Sequence, residues 1–313
     1  MLGGQGFKLT TLQYKYFQSN EKNDISKVVK KYYGGAEIVR KEKNLFVIDF
    51  YGFSEKEARV KYPKLYQHIY ETVKPERDKN SMKSRRENWW LFGGQGAGIR
   101  PIIENTERFI ATTETTKHRL FQFLSNNSRP DHMIIAIGSA DAFHLGVLCS
   151  MVHLHWTFAT CGLMGIATFE QGHRYTKSQC FDPFPFPVAT PAQRAVIANF
   201  AEELDATRKI ALAEVAGLTM TEIYNLREKV RSGAVLDFVD RERARSARAA
   251  IINRLHEQID AAVAAAYGWP ANLSPSEIIT RLVALNAERA AEEKAGKVRW
   301  LRPDYQIPRF TKA

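Results

Sequence analysis

Cysteine is scarce in this sequence of 313 residues, which contains three. Cys149, Cys161 and Cys180 form an odd number and show no CxxC spacing. This pattern argues against a disulfide framework and against a zinc site, and it suits a reducing compartment. We therefore expect no metal site and a cytoplasmic location.

Long apolar runs are also lacking. No stretch approaches the roughly 18 residues that a membrane-spanning helix needs. The chain opens with Gly3-Gly4-Gln5-Gly6, where a signal peptide would have a basic and then an apolar segment. We predict that the protein has no membrane partner.

Acidic residues are outnumbered by basic ones. Lysine and arginine total 45 against 34 aspartate and glutamate residues, so the formal net charge is +11 and the pI is near 9.5. Such a surplus favours a polyanionic partner, most simply nucleic acid. Composition alone leaves open a basic protein without a specific partner.

The composition changes along the chain. Aromatic residues concentrate before position 190, whereas alanine and helix-capping signals concentrate after it. Pro183, Pro185 and Pro187 mark the change. We predict an α+β domain over residues 1–187, followed by an all-α helical domain over residues 188–313.

The first part carries both strand and helix signals. The β-rich run 45–50 and the segment 36–40 suggest a hairpin with a polar turn between them. Ser54 and Glu57 have the spacing of a capping box, and Pro63 suits the first turn of another helix. The remaining predicted elements are strands at 108–113, 120–124 and 133–137 and a long buried helix over most of 142–160.

The second part has the pattern of helices with clear end signals. Thr190, Pro191 and Gln193 form an N-cap, a proline at N1 and a capping partner at N3. The spacing recurs from Thr219 to Glu222 and from Ser274 to Glu277, while Gly217, Gly268 and Gly296 end helices. The predicted buried faces are Val196, Phe200, Leu204, Ala211 and Val215; Ile252, Leu255, Ile259 and Val263; and Ile278, Leu282 and Leu285.

The run HRYTKSQCFDPFPFP, residues 173–187, joins the two parts. It resembles the RY(S/T)…FPWP segment in the target-recognition region of single-chain adenine-specific DNA methyltransferases, the type IIG restriction–modification enzymes and their phage-exclusion relatives. Phe186 stands where that family usually has tryptophan. Further matches in the same order are VIDFYGFS at 47–54, VKPER at 73–77, WW at 89–90, TKHR at 116–119, LGVLCS at 145–150, AAYGWP at 265–270 and RWLRP at 299–303.

The catalytic motifs of that family are missing from this chain. The family has a Gly-rich cofactor motif and an (N/D)PP(Y/F) motif upstream, and neither occurs here. The resemblance implies that the chain is the specificity portion of an S-adenosylmethionine-dependent methyltransferase or restriction–modification enzyme. It also implies that the chain is inactive alone and holds no cofactor or catalytic residue. Its expected partners are double-stranded DNA and a catalytic methyltransferase domain or subunit.

Two other functions stay open at this point. One is a stand-alone DNA-binding or interaction protein, a non-catalytic remnant of such an enzyme. The other is a helical assembly module whose basic charge is incidental.

The candidates for reading bases lie just before and within the run 173–187. Arginine bonds a guanine edge, glutamine an adenine edge, and glutamate a cytosine amine. The candidates are Glu170, Gln171, His173, Arg174 and Lys177. The alternative is that Arg174 and Tyr175 brace the FPFP turn.

Two basic segments are candidates for contacts to the DNA backbone, where cations release counterions and orient the protein. Lys83, Arg85 and Arg86 precede the WW pair, and Thr116, Lys117 and Arg119 follow a predicted strand. A solvated loop explains the first segment as well, and turn chemistry explains the hydroxyl groups of the second.

Three further motifs favour plain structural interpretations. The loop 93–98 is rich in glycine but lacks the GK(S/T) ending of a P-loop and GxGxxG spacing. His153 and His155 have no acidic or cysteine cluster nearby, so packed histidines are expected in place of a metal pair. The four arginines at 241, 243, 245 and 248 indicate a solvated helix face.

Overall fold

The computed structural model describes residues 4–40, 44–163 and 173–310. Within these residues, mixed helices and small sheets occupy the first part of the chain and helices dominate the second. The predicted fold class, an α+β region followed by an α-helical region, is confirmed. No helix in the described ranges is long and apolar enough to cross a membrane.

The strands of the described residues are short. They are β1 (Lys8–Leu9), β2 (Val29–Tyr33), β3 (Phe46–Ile48), β4 (Arg108–Thr113), β5 (Gln122–Ser125), β6 (Ser128–Pro130), β7 (Ile134–Ile137), β8 (Gly162–Leu163) and β9 (His173–Arg174).

The helices of the described residues include their longest members after residue 190. They are α1 (Thr11–Asn20), α2 (Gly35–Val39), α3 (Glu55–Lys61), α4 (Pro63–Thr72), α5 (Lys74–Asp78), α6 (Lys83–Glu87), α7 (Arg100–Glu104), α8 (Ala142–Cys149), α9 (Met151–Thr160), α10 (Pro191–Glu214), α11 (Met220–Arg231), α12 (Phe238–Ser246), α13 (Ala249–Tyr267), α14 (Pro275–Lys294) and α15 (Pro303–Phe310). Single 3₁₀ turns occur at Gln5–Phe7 and Ile25–Lys27, and a π turn at Lys177–Phe181.

Contacts divide the chain into two compact units, one of residues 1–113 and 124–138, the other of residues 114–123 and 139–313. In the first unit, β3 pairs antiparallel with β1 and β2, and β2 pairs in parallel with β6. β4 pairs antiparallel with β7. The domain boundary near residue 188 stays a prediction.

A buried ion cluster ties the IDF segment of this first unit to β6. Both oxygens of Asp49 accept from Arg100, at 2.6 and 2.9 Å, and Arg129 Nε donates to Asp49 Oδ2 at 2.7 Å. Burial alone would raise the pKa of Asp49, but the two arginines lower it below its usual range. Removing one partner from such a cluster leaves an uncompensated buried charge.

The predicted hairpin of residues 36–40 and 45–50 is wrong in its first strand. Gly35–Val39 forms α2, with Ile38 and Val39 buried. The partners of β3 are β1 and β2, and β2 is the β-branched and aromatic run VKKYY at residues 29–33. The prediction paired residues 45–50 with the nearest segment along the chain. In the sheet, β3 pairs instead with β2, whose valine and tyrosines favour strands.

The other local predictions within residues 1–138 hold, with one shifted start. Ser54 and Glu57 form a reciprocal capping box at the start of α3, and Pro63 is at the first turn of α4. The strands predicted at 108–113 and 133–137 correspond to β4 and β7. The strand predicted at 120–124 begins two residues later, as β5.

The second unit is a set of packed helices. α10 packs against α8 and α13, and α11 packs against α13. Gly146 allows the close approach of α8 and α10, because a Cβ there would lie 2.5 Å from Ile197 Cγ2 and 3.1 Å from its carbonyl oxygen.

The single long helix predicted within 142–160 is wrong. The segment forms α8 and α9, separated at Ser150, whose backbone is extended. The Ser150 hydroxyl accepts from the backbone N–H of His153 and donates to the Val147 carbonyl. Serine caps compete with a continuous helix in this way.

The buried face predicted for α10 is partly wrong. Leu204 and Ala211 are buried, but Val196 is exposed. The actual face includes Ile197 and the charged side chain of Arg208, which is fully buried. Arginine is almost never fully buried unless it is paired, so a prediction based on apolar residues does not place it on a buried face. Phe200 and Val215, also predicted to be buried, are half-buried.

Later helix signals hold more closely. The predicted face of α13 is fully buried, and Gly268 closes that helix in a left-handed conformation. Ser274 and Glu277 form the expected capping box of α14, where Ile278 and Leu282 are buried and Leu285 is half-buried.

Thr219 caps α11 at the backbone N–H of Glu222, as expected for that position. The Glu222 carboxylate pairs with Arg243.

Candidate nucleic-acid interface

Arg174 points outward from a strand whose neighbours point inward. Along β9 and the next residue, His173 is buried, Arg174 is exposed and Tyr175 is fully buried. This is the alternation of a strand with one buried face. The Arg174 backbone lies between Gly162 of β8 and Thr115, with antiparallel pairing on both sides. The strand therefore presents one arginine at the surface of the second unit.

Glu114 holds the inner edge of the Arg174 guanidinium. Glu114 Oε1 is 2.5 Å from Nε and 2.5 Å from Nη2. The Arg174 side chain is 47% exposed and that of Glu114 is 13% exposed. A guanidinium has five N–H donors in a planar fork, so the Nη1–Nη2 edge at its tip is left for another acceptor. Among the described residues, Arg174 has no other side-chain partner.

Tyr175 braces the interior beneath that strand. Its hydroxyl group lies 3.3 Å from His153 Nε2, and its ring makes an edge contact with Phe121. Burial raises the pKa of Tyr175 far above its ordinary value and lowers that of His153 to about 3. His153 also contacts the Leu148 carbonyl, so it is a packed histidine, as expected. Bracing therefore belongs to Tyr175, while Arg174 faces outward.

The FPFP turn is tied to helices of the same unit. Tyr267 donates to the Pro185 carbonyl at 2.9 Å, and Asn286 donates to the Pro183 carbonyl at 2.5 Å. Phe184 is buried against His153, with ring centroids 4.6 Å apart. These contacts hold the turn in a defined conformation.

His173 faces inward, so its placement does not suit direct contact with a base. The His173 ring is buried, and its Nδ1 lies 3.2 Å from Cys161 Sγ. Burial and the nearby Arg119 lower its pKa. Its proposed role in reading bases stays a prediction.

Arg119 supports the strand from beneath. Arg119 Nη2 donates to the carbonyls of Glu114 and His173, each at 3.3 Å, and the guanidinium lies 5.0 Å from the centroid of the Tyr175 ring. Burial lowers its pKa to about 10. The structure thus gives Arg119 a supporting position, and its predicted contact to the DNA backbone stays a prediction.

Lys117 lies on the loop beside that strand. Its side chain is exposed, and Nζ donates to Asn225 Oδ1 of α11 at 2.9 Å. His118 Nε2 lies 2.8 Å from the same oxygen. Thr116 on this loop is half-buried. Asn225 therefore fixes the loop at two consecutive residues.

The other candidates differ in accessibility. Lys177 is 75% exposed and pairs with Asp182 at 2.6 Å. Lys83 is exposed beside Glu87, and Arg86 donates to the carbonyls of Asn80 and Ser81. Arg85 is half-buried. Glu170 and Gln171 lie outside the described residues.

The second unit brings together segments that are far apart in sequence. Residues 114–119, β9 and Asn225 meet there, whereas the basic segment at 83–86 belongs to the first unit. The family model for the MmeI target recognition domain matches residues 2–188.

The chain belongs to the MmeI target recognition domain family. The resemblance to a target-recognition region is thereby confirmed. The MmeI-type domain ends at residue 188 in this match, next to the FPFP turn.

A solved structure extends the similarity beyond that domain. It is the type IIL restriction–modification enzyme MmeI in complex with DNA, with a TM-score of 0.66 and 18% sequence identity. The match covers 90% of this chain and 34% of that chain, so this chain spans about a third of the length of the enzyme. At this identity the likeness concerns the fold. No curated protein matched the sequence.

Two residues of the candidate interface were not predicted from the sequence. Glu114 was missed because acidic residues are not sought in a surface for a polyanion, although it adjoins the TTKHR segment. Asn225 lies 108 positions from Lys117, and nothing in its local sequence indicates that the two side chains meet.

Proposed function

We propose that this chain recognises double-stranded DNA in a sequence-specific manner, as the recognition portion of a restriction–modification enzyme. One observation carries the proposal within this family. Arg174 stands outward on a strand braced from beneath, with the donor edge at its tip unused by the described residues. An arginine held in this way is suited to base-edge contact in the major groove.

The geometry favours guanine as the base that Arg174 contacts. Guanine presents the acceptors O6 and N7 side by side, and an arginine binds both at once. With Nε engaged by Glu114, the parallel Nη1–Nη2 pair is the edge that matches them. Lys117, which is exposed, supplies a phosphate contact that fixes the register of the strand on DNA, and Lys177, also exposed, stays a candidate for reading bases.

The chemistry of the intact enzyme comes from elsewhere. We infer that a catalytic domain or subunit transfers a methyl group from S-adenosylmethionine to adenine, in the cytoplasm and in defence against phage. The Gly-rich loop does not suit this cofactor. A Cβ at Gly93 would lie 3.1 Å from both Arg77 Nη1 and Arg85 Nε, and two guanidinium groups repel a sulfonium cation. This chain by itself is expected to be inactive.

The test is binding of the purified chain to a randomised duplex pool at two salt concentrations, followed by sequencing of the bound fraction. An enriched motif containing guanine supports a self-sufficient recognition module. Salt-sensitive binding without a motif means that readout requires the catalytic part or that the chain is a remnant. Absence of binding to any duplex refutes the proposal.

The basic segment of the first unit is tested separately. Replacing Lys83, Arg85 and Arg86 with glutamine should flatten the dependence of log K on log salt, by up to ~0.9 for each DNA phosphate that is no longer neutralised. Replacing three exposed lysines elsewhere, Lys15, Lys22 and Lys56, is the matched control. If the slope of log K against log salt is unchanged in the first variant, these three residues do not contact DNA phosphates.

A further inference from the structure

Two arginines of the first unit converge on one glycine. A Cβ built at Gly93 would lie 3.1 Å from Arg77 Nη1, 3.1 Å from Arg85 Nε and 3.3 Å from Arg85 Cζ. The two guanidinium groups therefore lie within about 6 Å of each other, on the side of Gly93 where any other residue would place its side chain. Like charges at this separation repel.

Among the described residues, Glu76 is the acid that acts on this pair, and it makes no ion pair with either arginine. Arg77 is 7% exposed, and no ion pair or side-chain hydrogen bond there involves Arg77 or Arg85. The neighbouring acids are engaged elsewhere, since Asp78 pairs with Lys74 and Glu87 with Lys83.

The Phe7 ring, 6.0 Å from Arg77 Cζ, gives partial compensation at the outer limit of a cation–π contact. Burial and the charge of Arg85 lower the pKa of Arg77, and Glu76 opposes this only in part. Arg77 is a mostly buried residue with a second guanidinium group beside it and only partial compensation from Glu76, so binding of an anion would stabilise the pair.

We propose that Arg77 and Arg85, brought together at Gly93, form a phosphate-binding site. A guanidinium group binds phosphate oxygens through paired N–H donors. Two guanidinium groups that share no protein carboxylate can therefore bind one phosphate group together. Gly93 lets both guanidinium groups approach the backbone and each other, because it has no side chain. Arg85 is half-buried, so the site is reachable from solvent.

The occupant is a phosphodiester of the DNA backbone, and this part rests on the proposed function. Contacts to phosphate carry no sequence information, but they fix the position of the protein on the duplex. Arg77, which the sequence did not single out, would then be a binding residue, and Arg85 would act with it.

The first experiment uses inorganic phosphate and the full chain. The melting temperature is measured against phosphate concentration at constant ionic strength, because a ligand that binds the native state stabilises it. The variants are Arg85→Gln, which removes one donor group, and Gly93→Ala, which keeps both charges but places a methyl group between them. Arg59→Gln, at an exposed position of α3, is the control.

The expected result is a saturable rise in melting temperature for the wild type and the control. Both site variants should need at least about tenfold more phosphate, the weakening expected when one charge-assisted hydrogen bond is removed. A wild type that responds no more than Arg85→Gln overturns the site. Since Gly93→Ala retains the charges, an unchanged response in that variant also contradicts the geometry.

The second experiment identifies the source of the phosphate. For duplex DNA, Arg85→Gln should lower the slope of log K against log salt by ~0.9 relative to wild type. If phosphate binding is abolished but the DNA slope is unchanged, the DNA occupant is overturned and a free anion is the ligand. If the wild type does not bind DNA at all, the proposed function fails, while the phosphate titration still decides the site.

Discussion

The pairing of Glu114 with Arg174 permits a test in which affinity and specificity move in opposite directions. The perturbation is Glu114→Ala, with Arg174→Ala as its counterpart. Glu114 orients the guanidinium and also contributes one negative charge next to the proposed DNA surface. Removing it frees the arginine to rotate and raises the local positive potential.

The magnitudes follow from the contacts. A bidentate arginine–guanine contact discriminates against other bases by ~1–3 kcal/mol, which is about 5- to 150-fold. Arg174→Ala should lose this preference. Glu114→Ala should lose much of it, while binding to random duplex stays equal or becomes tighter.

The assay is competition between duplexes that differ only at the guanine enriched in the pool, carried out at two salt concentrations. A stability control is built in, because an ion pair with a 47% exposed arginine contributes at most ~1 kcal/mol to folding. The melting temperature of Glu114→Ala should therefore change little. Glu114→Gln keeps the side-chain oxygen and should retain part of the preference.

Two results would refute the reasoning. If Arg174→Ala weakens binding to all sequences equally and lowers the salt slope by ~0.9, Arg174 contacts a phosphate group. If Glu114→Ala weakens binding and destabilises the fold together, the pair is structural.

Three further predictions concern support and stability. Asn225→Ala should release Lys117 and weaken DNA binding with an unchanged melting temperature, whereas Asn225→Asp should hold Lys117 and lower the slope of log K against log salt. If both variants bind DNA as the wild type does, Asn225 does not have this role. Gly146→Ala should lower the free energy of unfolding by ~1–3 kcal/mol through the clash with Ile197, despite the better helix propensity of alanine; urea denaturation showing a gain would contradict the packing. The pKa of His153 is lowered to about 3, so this residue binds fewer protons in the folded state than in the unfolded state between pH 3 and about 6.5. The free energy of unfolding should therefore fall as the pH drops through this range, by up to ~1.4 kcal/mol per pH unit for this group. In His153→Gln, measured by urea denaturation at several pH values, this fall should be smaller.

Local signals in the sequence predicted local structure well. The capping boxes at Ser54, Thr190 and Ser274 lie where they were predicted, because each motif is complete within four residues. The ordered motifs from residue 47 onward indicate the family without any knowledge of the fold. Arg174, which faces outward on β9, was among the residues predicted to read bases.

Predictions that depended on distant partners were weaker. The strand expected at 36–40 is a helix because the sheet pairs β3 with β1 and β2. The face of α10 was misjudged because Arg208 is buried, where it donates to Tyr224 and to the Phe121 carbonyl. Hydrophobic periodicity assumes that charge stays outside, and it fails where tertiary contacts satisfy a buried charge.

The sequence by itself determined the fold class, the helix starts and the family, since these depend on residues near one another and on motif order. Only the tertiary structure decided which arginine is presented and which is enclosed. Glu114 and Arg174 are 60 positions apart, and Arg77, Arg85 and Gly93 converge only when α5, α6 and the glycine loop are folded. A side chain is exposed, braced or poised for an anion according to the groups packed around it, and packing brings together groups that the sequence separates.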